Sequence, residues 1–302
     1  MSPTPVAVLG LGGIGGLVAA RTGALGVGTP RTVEAIRRNG LRLVHAGTTT
    51  VVQLDAVERL DRPVGLLVVA TKAHDLDEAL RRVDPEALDG ASVLPLLNGL
   101  EHVERIRASP VLLHASSATV LAGSIGAVEA YAPEPGFVVS RTSGARIAAA
   151  SDVLDREKLA RPLSPLRVPG LEVELGTSER GVLWEKACRL AVIAAAAIAT
   201  GRPVGEILGD PAWRVRLRLA LEEAVAVAAA DGVELVASGQ WAIIEALPQD
   251  LVPSAARDAA AGRRTELDAI TGSVVRAGER LRVPTPTLAA LLEEARCRAR
   301  SR

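Results

Sequence analysis

Aromatic side chains are scarce. Among 302 residues there are one phenylalanine (Phe137), one tyrosine (Tyr131) and three tryptophans (Trp184, Trp213, Trp241). Rings so few and scattered make no platform on which nucleobases could stack. Net charge is also lacking, with 35 basic against 35 acidic side chains, so no electrostatic footprint for nucleic acid or an anionic membrane is present. The two cysteines, Cys188 and Cys297, belong to no C-x-x-C pair. That excludes a disulfide framework, and Cys188, in an apolar stretch, reads as core packing. The longest apolar run, Leu190–Ala199, falls well short of the ~20 residues that span a bilayer. Met1-Ser-Pro-Thr-Pro carries no basic segment followed by an apolar one, so no signal peptide is expected. The composition predicts a soluble, cytoplasmic protein that binds neither nucleic acid nor membrane.

What is present is an alternation of elements. Val6–Leu9, Leu66–Ala70 and Ser92–Leu97 are apolar runs of strand length without polar alternation. Helical patterns follow at 13–25, 75–82 and 101–107. Strands of this kind, interleaved with helices, predict a parallel sheet covered on both faces. Val111–Leu121, Gly136–Val139 and Ala145–Ala148 read as further strands closing that domain, and Leu171–Leu175 as a last one. Beyond it the pattern is helical, at about 178–199, 210–230, 236–246, 254–261, 265–282 and 286–299. The fold class is therefore α/β, with an N-terminal doubly wound, Rossmann-type domain over 1–175 and an all-helical domain over 176–302.

Gly10-Leu11-Gly12-Gly13-Ile14-Gly15 is a G-x-G-x-x-G sequence placed between the first strand and the first helix. In that setting the glycines serve a tight turn, close approach of backbone to a pyrophosphate, and close packing of helix on strand. The second strand should end near Val27–Thr29, where an NAD enzyme usually carries an acid for the ribose 2′-hydroxyl. No acid is there. Arg31 suits a 2′-phosphate by charge and fork geometry, which favours NADP(H) over NAD(H). Glu34 is close by but falls inside the next predicted helix.

Lysine is rarer still: Lys72, Lys158 and Lys186 stand against 32 arginines. A chain that writes its solvated positive charge as arginine leaves lysine where a compact ammonium with a movable pKa matters. Lys158, in a charged run, reads as chance retention. Lys72 follows a buried strand at the carboxyl edge, where α/β sheets bind ligands. Lys186 opens a long apolar helix, a costly place for a charge without a task.

The chain resembles the ketopantoate reductases, NADPH enzymes of pantothenate biosynthesis that reduce 2-dehydropantoate to pantoate. The resemblance rests on the glycine loop, Thr71-Lys72-Ala73, Asn98-Gly99-Leu100, Leu183-Trp-Glu-Lys186, Arg264-Thr-Glu266-Leu-Asp268 and Val283-Pro-Thr-Pro-Thr, in order along the chain. It implies that Lys72 contacts the cofactor and that Asn98 reaches both the nicotinamide ribose and the substrate. Lys186 would protonate the substrate carbonyl oxygen, with Glu266 beside it at the cofactor. Ser254 would hold the substrate's carboxylate end. The alternatives for the polar pair are an ion pair with Arg263 for Glu266 and a buried cap amide for Asn98.

The chain also departs from that family. Where the lysine helix of the family presents asparagines four and eight residues after the lysine, this sequence has Leu190 and Ala194. Those positions share a face with Lys186 and are expected to line the substrate wall. A 2-keto acid with a less polar tail than ketopantoate is therefore an alternative substrate. A non-catalytic NADP(H)-binding redox sensor, or a relative oxidising an alcohol or opine, would share the scaffold. Substrate is expected in a cleft between domains, with Lys72 and Asn98 from the first and Lys186, Ser254 and Glu266 from the second. No metal site is expected, and a homodimer is possible.

Overall fold

The computed structural model describes residues 5–301. The chain forms two compact units, Met1–Leu97 with His102–Val182, and Asn98–Glu101 with Leu183–Arg302. The division falls after Val182, close to the expected boundary near Gly176 and inside the helix Glu179–Thr200. Its physical reason is the first turn of that helix. Glu179 is buried, ion-paired to Arg107 at 2.7 Å, and its own N–H donates to Asp152 Oδ1 at 3.0 Å. Those partners belong to the first unit and hold the turn there.

The first unit is built on a six-stranded parallel sheet. Its order is Ala56–Val57, Leu25–Val27, Val6–Leu9, Leu66–Val69, Ser92–Pro95 and Thr119–Val120. Counted along the chain within this sheet, that is 3-2-1-4-5-6, the order of a dinucleotide-binding doubly wound fold. Register is direct, with Ala7 opposite both Leu25 and Leu67. Ala7, Val8, Leu66, Leu67, Val68, Val93 and Leu94 have no accessible surface, as strands covered on both faces require.

Two smaller sheets complete the unit. Ala130–Glu134, Phe137–Ser140, Leu41–His45 and Thr48–Val52 form one, and Leu171–Leu175, Ala145–Ala150 and Ala122–Gly126 the other. The segments 136–139 and 145–148 are thus strands, but of separate sheets. The expected strand over Val111–Leu121 is corrected: Pro110–His114 is helical and only Thr119–Val120 is extended. Ser109 and Pro110 explain it. The Ser109 hydroxyl accepts from Leu112 N–H, and proline occupies the first helical position, a start signal that outweighs the β-like run.

The second unit is helical and apolar inside, with Trp184, Leu217, Leu221, Ile244, Leu288 and Leu291 buried in its core. Its main helices are Glu179–Thr200, Pro211–Ala230, Ala237–Glu245, Ser254–Ala260, Ser273–Leu281 and Pro286–Arg300, with a short one at Val204–Gly209. The expected single helix over 265–282 is instead a π-helical turn, Asp268–Gly272, running into Ser273–Leu281. No helix among the described residues is long and apolar enough to cross a membrane.

Candidate active site

In the first unit the glycine loop lies where the order of the strands reverses. The strands Val6–Leu9 and Leu66–Val69 are neighbours, and the loops leaving them touch. A Cβ on Gly10 would stand 2.7 Å from Thr71 Cγ2, and Gly10 has φ +94°. A Cβ on Gly15 would stand 1.8 Å from the Gly10 carbonyl oxygen, so helix and loop pack as closely as backbone allows. Gly12, by contrast, faces open space and precedes the first turn of the helix Gly13–Thr22. Tight turn, open approach and close packing are the three requirements of a pyrophosphate cradle at a helix N-terminus.

Other residues of the motif play different parts. A Cβ on Gly13 would meet the backbone of Ala130 and Tyr131. Leu11 is buried against the bare faces of Gly26 and Gly28, and Ile14 packs on the unit's core. Only their backbones remain for a ligand. Thr71 supplies a sign of one: its hydroxyl is buried with no partner among the described residues, an arrangement that ordinarily calls for a bound polar group. Lys72 follows directly, partly exposed. These residues fit a dinucleotide.

After the second strand, Thr29 caps the helix Pro30–Asn39. Arg31 lies in its first turn, exposed and without a protein partner among the described residues. Glu34 is committed elsewhere, to Arg38 one turn on, at 2.5 Å.

The second unit assembles the polar cluster. Lys186 Nζ donates to Asn98 Oδ1 at 2.8 Å. The contacts place Asn98 with the helical unit, a correction to its expected membership of the first domain. The reason is the next residue: a Cβ on Gly99 would lie 1.9 Å from the Ala269 carbonyl oxygen, so the turn sits hard against the π-helical segment. Arg276 completes the clamp, donating twice to the Glu101 carboxylate at 2.8 Å and once to Asp268 Oδ2 at 3.1 Å. Sequence reasoning missed this clamp because its partners stand far apart in the chain. Single-turn π segments are frequent at functional sites, and from this one the Thr271 hydroxyl donates to the Ala191 carbonyl oxygen at 2.8 Å.

Lys186 is half-buried, and desolvation lowers its pKa to about 8. The Glu266 carboxylate opposes that fall and the Arg189 guanidinium adds to it. Glu266 is buried. It is not tied up by Arg263, which bonds instead to Asp258 at 2.8 and 3.0 Å.

The remaining expected residues lie on the same unit. Ser254 opens its helix, partly accessible, its hydroxyl without a protein partner among the described residues. Leu190 packs against the core while keeping accessible surface. Ala194 is wholly buried, so as a wall residue it is corrected: its methyl group is core. Cys188 is buried and its thiol pushed up to about 12 by desolvation, an inert packing group.

A doubly wound sheet with a phosphate cradle and a helical unit presenting a desolvated lysine define a nicotinamide-dependent oxidoreductase. Comparison narrows this. The family description "Ketopantoate reductase PanE/ApbA" matches residues 6–150, and "Ketopantoate reductase PanE/ApbA C terminal" matches 180–298. The chain belongs to the ketopantoate reductase family. It is 28% identical over 269 residues to 2-dehydropantoate 2-reductase of Halobacterium salinarum, covering 85% of this chain and 84% of that one. A 26% identity to the enzyme of the same name from Pyrococcus horikoshii spans 92% of each. Among solved structures, a PanE/ApbA family ketopantoate reductase from Ralstonia eutropha superposes with TM-score 0.82 at 28% identity, over 98% of this chain and 99% of that chain. The fold is also that of D-mandelate dehydrogenase bound to NADH and anilino(oxo)acetate, TM-score 0.86 at 23% identity, over 98% and 99% of the two chains.

Proposed function

We propose that the protein is an NADPH-dependent reductase of a 2-keto acid, with Lys186 as the proton donor. The observation that carries this reading is the Lys186 ammonium, desolvated to a pKa of about 8 and hydrogen-bonded to Asn98. Once bound, the reduced nicotinamide supplies a hydride to the carbonyl carbon. Negative charge then grows on the carbonyl oxygen, and Lys186 gives that oxygen its proton. A general acid works best with a pKa near the working pH, which is where burial brings this lysine. Glu266 keeps the ammonium charged before transfer, and Asn98 holds its direction. Ser254 is assigned to the substrate's carboxylate, supported by a hydroxyl that has no protein partner among the described residues.

Arg31 carries the preference for NADPH. It is a guanidinium without a partner among the described residues, in the first turn of a helix whose N-terminal end attracts anions, with no acid after the preceding strand. Lys72 is assigned to the cofactor by its position beside the glycine loop.

Ketopantoate is the natural first substrate to test, and it would place the protein in pantothenate biosynthesis. Leu190 favours a second possibility, a 2-keto acid with a less polar tail, because an apolar wall leaves a buried hydroxyl without a partner. The D-mandelate dehydrogenase likeness supports this, since the same fold there holds NADH with an aromatic oxo acid analogue. A pure redox sensor is disfavoured: it needs the glycine loop but not Lys186, Asn98 and Glu266 together. The test is NADPH oxidation measured against a panel of 2-keto acids that includes ketopantoate. A protein that binds NADPH tightly and reduces none of them is a sensor, not a reductase.

A further inference from the structure

Two cations of the helical unit, Lys186 and Arg189, are only partly accessible, and the charge around them does not balance. Lys186 and Arg189 stand one turn apart on the helix Glu179–Thr200, a spacing that puts both on one side. The buried carboxylate of Glu266 acts on the first of these cations, Lys186, and not on Arg189. Arg189 is the less expected of the pair. Its guanidinium is largely desolvated, which lowers its pKa. Its hydrogen bond is from Nη1 to Oε1 of Gln240, a neutral amide that is itself buried in the helix Ala237–Glu245. Among the described residues no carboxylate lies within ion-pair distance of it. Glu185, one turn back, is exposed and acts only at longer range.

A guanidinium has five N–H donors, and Gln240 engages one nitrogen. Buried cations are ordinarily paired, because an unpaired one is costly to desolvate. Here the protein provides an orienting partner and leaves the charge open. We infer that Arg189 is a substrate-binding residue, its guanidinium held in place by Gln240 to receive a carboxylate of the molecule that Lys186 protonates. The inference rests on the proposed 2-keto acid reductase reading and extends it to an anion anchor additional to Ser254. The carboxylate has two possible sources, the one adjoining the keto group or one at the far end of a dicarboxylic substrate.

The experiment compares wild type with Arg189→Gln and Arg189→Lys on 2-oxoisovalerate, on its methyl ester and on 2-oxoglutarate. Alongside, calorimetry measures binding of oxamate to the protein loaded with NADP⁺. Loss of a charge-assisted hydrogen bond predicts that Arg189→Gln raises KM for the acids by about 10- to 100-fold. The ester should be unaffected and kcat little changed, with Arg189→Lys intermediate. A fall on both acids alike identifies the carboxylate next to the keto group; a fall confined to 2-oxoglutarate identifies the distal one. Equal losses on acid and ester, or no loss, overturn the inference, as does wild type that fails to bind oxamate. Should oxamate bind through Arg189 while no 2-keto acid is reduced, the reductase reading fails and the anion site stands.

Discussion

Lys186 Nζ lies 2.8 Å from Asn98 Oδ1, and the chemistry of the donor fixes the orientation of the amide. An ammonium has three donors and no acceptor, so Asn98 must turn its oxygen to the lysine. Its NH₂ group then points elsewhere, available to a ribose hydroxyl or a substrate oxygen. One bond thus aims the ammonium and, at the same time, leaves the amide NH₂ as a donor to a ligand.

The first prediction is the loss of that proton donor. Lys186→Ala should lower kcat by about 10²–10⁴, the usual scale for a missing general acid. The Kd for NADPH should stay within a few-fold of wild type, because the cradle residues are untouched. Near wild-type turnover would assign the proton to water or to another side chain.

The pH dependence follows from the same lysine. Carbonyl reduction needs the ammonium, so the reduction rate should fall as pH rises through about 8. Glu266 raises the lysine pKa. Removing its charge in Glu266→Gln should therefore move that limb to lower pH. Arg189 lowers the pKa, so Arg189→Gln should move it to higher pH. Opposite displacements in the two variants, read from kcat profiles, are the expected result; parallel ones would mean that another group titrates.

Gly99 is a sharp test of the turn that presents Asn98. Its φ is +94°, and an added Cβ would stand 1.9 Å from a backbone oxygen that cannot step aside. Gly99→Ala should lower kcat by at least about tenfold and destabilise the fold by ~1–3 kcal/mol, the scale of a forced backbone conformation. Thermal unfolding and kcat measured together check both. Glu101→Gln, which weakens the clamp to Arg276 without a clash, should give a milder loss of the same kind.

How much of this was legible in the sequence depends on how local the cause is. The glycine loop and the parallel strands are each written in a few consecutive residues. So is the cost of a lysine on an apolar helix. The hairpin Leu41–His45 and Thr48–Val52 went unread, although its turn carries a signal: Ala46 and Gly47 both have positive φ, the backbone of a two-residue hairpin turn. Ala46 disguises it, where asparagine or aspartate would have announced it. The strand expected over 111–121 gave way to a helix start written in two residues, Ser109 and Pro110. The clamp from Arg276 to Glu101 and the bond from Arg189 to Gln240 are long-range. No periodicity or motif reports which helix faces which, and only packing brings those groups together.

On the proposed reading, cofactor choice rests on Arg31. A charge-assisted contact to the 2′-phosphate is worth roughly 2 kcal/mol, so NADPH should bind about 30-fold more tightly than NADH. Arg31→Ala should erase most of that difference and leave NADH binding unchanged. Titration by nicotinamide fluorescence measures both; equal affinities in the wild type would remove the 2′-phosphate site.

On the proposed reading, substrate choice turns on Leu190, one turn beyond Lys186 on the same helix. Its side chain packs on the core yet keeps accessible surface, so the wall it offers is apolar. Ketopantoate carries a hydroxyl, and a hydroxyl buried against such a wall forfeits about 1–3 kcal/mol. Weak use of ketopantoate is the expectation, with higher kcat/KM for a 2-keto acid bearing a less polar tail. Leu190→Asn should then raise kcat/KM for ketopantoate relative to that analogue by about tenfold. Ala194→Asn should do something different. Ala194 has no accessible surface, so a larger polar group there is forced into a packed core, and overpacking costs about 1–3 kcal/mol before any unpaired amide is counted. That variant should lose thermal stability without gaining ketopantoate activity. If the unmodified protein already prefers ketopantoate, Leu190 does not line the substrate's tail, and polar groups elsewhere serve the hydroxyl.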